Sequence, residues 1–208
     1  GAMGVGVARR GDDGKFVASS LREDELFTFY RADGVRDTLS TGKAPYPFRF
    51  QGIDDTSLKV KKRIFEYRLK YNGHNDKFVV CYCLNNLFEI YNSDGSLHKR
   101  IIAPYPYLVD TNHLSADKLG VPIDELIFTF KDCCLTDDRI FLLYNGSSPT
   151  GMIGAQSKIY VFDYEGNPIK YYLLDRYAHS FCIDKQGGVI YALSDENDQK
   201  QVVRYSML

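Results

Sequence analysis

A chain of 208 residues that repeats itself about every 60 residues has few folds open to it, because each copy must bury its apolar surface against the next. Three landmarks recur in order. Lys15-Phe16-Val17-Ala18-Ser19 returns as Lys77-Phe78-Val79-Val80-Cys81, 62 residues on. Phe29-Tyr30-Arg31-Ala32-Asp33-Gly34 returns as Ile90-Tyr91-Asn92-Ser93-Asp94-Gly95, 61 residues on. Ala44-Pro45-Tyr46-Pro47 returns unchanged as Ala103-Pro104-Tyr105-Pro106, 59 residues on. A third copy runs through Arg139-Ile140-Phe141-Leu142-Leu143 and Val161-Phe162-Asp163-Tyr164-Glu165-Gly166. A fourth runs through Gly188-Val189-Ile190-Tyr191-Ala192-Leu193 and Val202-Val203-Arg204-Tyr205.

The second copy shows the unit best. An entering strand, Phe65 to Tyr71, meets a turn, and an apolar strand follows. Then come the alternating strand Leu87 to Tyr91, an Asp-Gly hairpin turn and the polar strand Leu97 to Ile102. Four antiparallel strands per repeat is the pattern of a β-propeller blade. The predicted fold is therefore all-β: a propeller of four-stranded antiparallel blades, with about three and three-quarter blades present. The expected blades are 5–43, 64–103, 125–175 and 178–208, with connecting segments between them. Residues 1–4, Gly-Ala-Met-Gly, read as the remnant of a cleaved tag. Propellers close with about four to eight blades. The count thus predicts either a fragment of a six-bladed ring, which is the favoured reading, or a last blade completed by Val5 to Arg9. An open ring leaves a sheet edge, a route to homo-oligomers.

Gly-Lys-Phe-Val, then aromatic-Tyr-x-x-Asp-Gly, then a Tyr-Pro loop, resembles the TolB-like six-bladed propellers of bacterial envelope proteins. The segments from Phe181 to Ser194 and from Val203 to Tyr205 are similar to their closing blade. The resemblance implies an exported or lipid-anchored protein of the cell envelope, and no single activity. Trp is absent, so the Trp-Asp signature of WD repeats is missing, and Gly187-Gly188 is the only Gly-Gly pair, a poor match to kelch repeats.

Composition narrows the chemistry. A formal net charge of -1 offers no electrostatic case for nucleic acid. No run approaches the roughly 20 apolar residues of a membrane helix. The five cysteines, Cys81, Cys83, Cys133, Cys134 and Cys182, have neither disulfide-framework nor zinc-ligand spacing and read as buried free thiols. Cys133 and Cys134 would point to opposite faces of a strand. No cofactor, metal centre or nucleophile elbow is expected. The stretch from Gly146 to Gly154 lacks the Gly-Lys-Ser/Thr ending of a phosphate loop and reads as an insertion on one face. Asp163 to Asn167 and Asp195 to Asp198 hold oxygen ligands suited to calcium, but Asp and Asn are also ordinary turn residues. The basic run Lys59 to Arg63 reads as a solvated edge.

Two features carry the functional expectation. Tyr46, Phe48, Tyr105 and Tyr107 lie in or beside the recurring Tyr-Pro loops, where proline holds aromatics at low entropic cost. They would serve sugar or peptide recognition, or plug the space between blades. His179 precedes the last entering strand and would face the central channel. These residues predict a non-enzymatic binding or scaffold module that recognises a protein, peptide or glycan. The alternative is a propeller-based glycan lyase or hydrolase, for which His179 and Asp184 would have to converge with a third charged residue.

Overall fold

The structure, a computed structural model, describes residues 7–10, 15–19, 27–36, 65–102, 127–148, 155–184, 188–196 and 199–207. Those residues form fourteen strands and no helix. The first sheet holds β1 (Val7–Arg10), β2 (Lys15–Ser19) and β3 (Phe27–Tyr30). The second holds β4 (Tyr67–Asn72), β5 (Lys77–Tyr82), β6 (Leu87–Asn92) and β7 (Leu97–Ile102). The third holds β8 (Phe128–Leu135), β9 (Ile140–Ser147), β10 (Lys158–Phe162) and β11 (Pro168–Leu173). The fourth holds β12 (Ala178–Asp184), β13 (Val189–Glu196) and β14 (Gln199–Ser206).

Every sheet is a meander, with strands antiparallel and in chain order. The first strands adjoin one another across sheets: β1 lies against β4, β4 against β8 and β8 against β12. Sheets that meet side by side along their first strands are propeller blades, and β1, β4, β8 and β12 are their inner strands. Val7–Arg10 pairs with β2, so this segment belongs to the first blade and does not complete the last.

The middle strands show why the blades stack. On β5, Phe78, Val80 and Tyr82 pack toward the first blade, while Val79 and Cys81 pack toward the third. On β6, Leu87 and Tyr91 face one way and Phe88 and Ile90 the other. On β9, Ile140 and Leu142 face the second blade, while Phe141 and Leu143 face the fourth. A strand covered on both faces is apolar at successive positions, which is why these runs do not alternate. Three clusters result, one in each gap between neighbouring blades. Cys133 and Cys134 divide between two of them, as adjacent residues of an extended strand must. Cys81 and Cys83 do not share a strand face, because β5 ends at Tyr82 and Cys83 opens the turn. Four thiols are buried or half-buried, but Cys182 is exposed.

Polar pins complete the gaps. At the start of β8, the Thr129 hydroxyl lies within hydrogen-bond reach of the carbonyls of Tyr82, Cys83 and Asn85, the shortest contact being to Asn85 at 2.8 Å, and its amide donates to the Cys83 carbonyl at 2.8 Å. At the start of β12, the Ala178 amide donates to Ser157 Oγ at 2.8 Å, and that hydroxyl donates to Asn145 Oδ1 at 2.6 Å.

The Asp-Gly repeat is explained by its turns. Asp33, Asp94 and Asp163 each accept from the amide two residues on, at 2.9, 2.8 and 3.0 Å. Asp163 also accepts from Asn167 through both carboxylate oxygens, so the turn engages that carboxylate fully. Gly166 has φ 79°, and a Cβ there would stand 2.8 Å from Ile101 Cγ1 on the neighbouring blade. Gly34 has φ 80° with nothing within 4 Å of that position. Gly166→Ala is therefore expected to cost about 2–3 kcal/mol and Gly34→Ala about 1 kcal/mol, compared by thermal denaturation. Equal losses would mean that the approach of Ile101 is immaterial.

Candidate functional site

Inner strands are the natural place for a site, because their side chains converge from several blades. The inner strands begin at the end of the blades that also carries the turns between second and third strands. In blade two, Tyr67 pairs with Tyr82 and Leu87 with Ile102 at that end. In blade three, Phe128 pairs with Ser147 and Lys158 with Leu173.

His179 lies at this end, near the start of β12. Ala178 pairs with Ser194 and Ser180 with Leu193, so His179 is the extra residue of a β-bulge. A bulge re-aims the side chain it carries. His179 Nε2 meets Asp195 Oδ2 at 2.6 Å, with 31% and 49% of the two side chains exposed, so the pair is open to solvent. Tyr177 sets its ring edge-to-face against His179, with centroids 5.0 Å apart. The Ser194 hydroxyl bonds the Tyr177 carbonyl, fixing this segment to β13.

Blade three supplies the cation. Lys131 Nζ on β8 donates to Tyr177 Oη at 3.0 Å. It also lies 5.5 Å from the Phe128 ring centroid and 5.6 Å from that of Tyr177, within cation–π range. Asp132 sits further along β8. Its Oδ1 accepts from the Cys133 amide at 2.9 Å and its Oδ2 from the Phe181 amide at 3.4 Å, joining β8 to β12. Burial raises its pKa above the ordinary carboxylate value, although both amides and the charges of Lys70 and Arg68 on β4 pull the other way.

The insertion after Asn145 is rooted here too. Asn145 and Ser157 flank it and bond each other, and both bond the backbone of Ala178, next to His179. Residues 149–154 of that insertion lie outside the described residues, as do Tyr46, Phe48, Tyr105, Tyr107 and the basic run 59–63.

His179 and Asp184 stand at opposite ends of β12, roughly 15 Å apart at the rise of an extended chain. They do not converge. The partners that His179 does meet are Asp195 and Tyr177. Asp195 reads in the sequence as a turn residue. Tyr177 is the readable one, an aromatic two residues before His179 on the same extended path.

Blades that share buried gaps and a polar cluster along their inner strands define the class: a β-propeller with a candidate binding face where those strands begin. The family model described as "TolB-like 6-blade propeller-like" matches residues 7–186, and the chain belongs to that family. Among solved structures, it resembles a member of the duf4221 family from Bacteroides vulgatus, with a TM-score of 0.55 at 9% identity, over 94% of this chain and 62% of that one. It also resembles a subtype N10 neuraminidase-like protein of A/little yellow-shouldered bat/Guatemala, with a TM-score of 0.50 at 14% identity, over 97% of this chain and 55% of that one. The chain thus spans less than two thirds of either. Such likenesses show the fold alone. No curated protein matches the sequence. Among the described residues, no helix is long and apolar enough to cross a membrane.

Proposed function

We propose that this domain is a non-enzymatic binding module of the bacterial cell envelope, recognising a peptide or glycan, alone or on a protein partner, at the face where the inner strands begin. One observation carries the reading: Lys131, Tyr177, His179 and Asp195 form a part-exposed cluster on or beside the strands of two blades. A cation, a phenol, an imidazole and a carboxylate supply donors and acceptors beside aromatic faces, as a polar ligand with apolar patches requires. The insertion rooted at Ala178 would border such a ligand. The association of TolB-like propellers with the envelope supports the location. The separation of His179 from Asp184 weighs against the lyase or hydrolase alternative. Tyr46, Phe48, Tyr105 and Tyr107 remain part of the proposal as aromatics of the same binding role.

A thermal-shift panel of oligosaccharides and short peptides tests this reading. A ligand at about 100 times its Kd adds roughly 2.7 kcal/mol, which for this length raises Tm by about 5–10 °C. His179→Ala should remove that shift while leaving the ligand-free melt close to wild type. A flat panel over a clean transition would rule out a small-ligand site here.

A further inference from the structure

Two buried thiols face each other across the gap between blades two and three. Cys81 lies on β5 between Arg68 and Phe88 in the pairing register, and is fully buried. Cys133 lies on β8 opposite Leu142, with 2% of its surface exposed. Strands β5 and β8 pack directly on each other. The two residues share the buried cluster that fills this gap. They come from different blades, 52 positions apart in the chain.

We infer that Cys81 and Cys133 form an inter-blade disulfide when the protein folds in the presence of an exchangeable disulfide. The stoichiometry is simple. The two thiols release two protons and two electrons and form one S–S bond, while the oxidant's disulfide is reduced to two thiols. The oxidant belongs to the class of small-molecule disulfides or dithiol oxidases that an oxidising compartment holds. Attack requires a thiolate with access, and both sulfurs are sealed in the closed gap. The bond therefore forms before the blades close, and the closed gap then shields it. The other cross-blade pair is less well placed. Cys134 packs in the gap between blades three and four, but Cys182 is exposed and alternates with Phe181 and Ile183, which face that gap.

The test is refolding from denaturant in a buffer of oxidised and reduced glutathione, followed by alkylation of remaining thiols and peptide mapping. The expected product has lost the mass of two hydrogens, carries one cross-linked peptide pair containing Cys81 and Cys133, and leaves three of the five cysteines alkylated. It should melt roughly 5–15 °C above the reduced protein. A Cys134→Ala, Cys182→Ala double variant should keep the cross-link, and Cys133→Ala should lose it. Five alkylated cysteines, or a cross-link chiefly between any other pair, would overturn the inference.

Discussion

Glu89→Ala is expected to lower stability by about 3–5 kcal/mol, read by urea or thermal denaturation. Glu89 lies in the middle of β6 and is fully buried. A buried carboxylate is tolerated only when its oxygens are engaged. Here Oε2 accepts from the Tyr82 hydroxyl at 2.6 Å and the Tyr91 hydroxyl at 2.7 Å, while Oε1 accepts from Arg100 Nε at 2.6 Å. Arg100 sits directly opposite on β7, with 30% of its side chain exposed. The alanine variant strands two phenols, and Tyr82 is fully buried. Arg100 loses its ion pair with Glu89 at the edge of the gap. For a chain of this length the loss corresponds to a Tm lower by roughly 10 °C. Tyr82→Phe and Tyr91→Phe should each cost less, about 1–2 kcal/mol, because the carboxylate keeps two of its three donors. The losses should not add when combined with Glu89→Ala, since all belong to one network. A Glu89→Ala loss below about 1 kcal/mol would show that the network contributes little.

The second large effect lies on the opposite face of the same strand. Phe88→Ala should cost about 3–5 kcal/mol by opening a cavity in a packed aromatic group. The Phe88 ring stands 4.7 Å from Phe162 and 6.1 Å from Phe130, centroid to centroid, with none of its surface exposed. Both neighbours belong to blade three, so the cavity would sit between blades rather than within one. Native-state hydrogen exchange should locate the damage. Amides of β6 and β8 should lose protection first, with blade four less affected, because each repeat leans only on its neighbours. Uniform loss of protection across the chain would mean that the blades open as one cooperative body.

Much of this fold was readable because the repeat carries its own punctuation. Asp-Gly or Glu-Gly turns announce the hairpin after the third strand of the first three blades, and β5 and β6 carry apolar residues on both faces. The run from Lys131 to Cys134 was harder to place. A lysine and an aspartate interrupt an apolar pattern and suggest a strand end. On an inner strand, however, such side chains reach toward the centre and find partners on other blades: Tyr177 for Lys131, and the Phe181 amide for Asp132. The candidate site was half legible for a related reason. Counting repeats places His179 just ahead of the last entering strand, whereas the strand begins one residue before it, at Ala178. The pairing of His179 with Asp195 depends on a one-residue bulge between β12 and β13, and local sequence does not encode a cross-strand register of that kind.

The double-sided middle strands also bear on how such a chain can grow. A sheet that buries both faces does not own a core; it owns half of two. The natural unit of sequence is the blade, but the unit of burial is the space between two blades. Duplicating one repeat therefore inserts a complete new joint only if the copy preserves which residues face forward and which face back. The odd-even order along β5, with Phe78, Val80 and Tyr82 behind and Val79 and Cys81 ahead, is then a rule of inheritance as much as of packing. A repeat shifted by a single residue would present the wrong half of each joint to both neighbours.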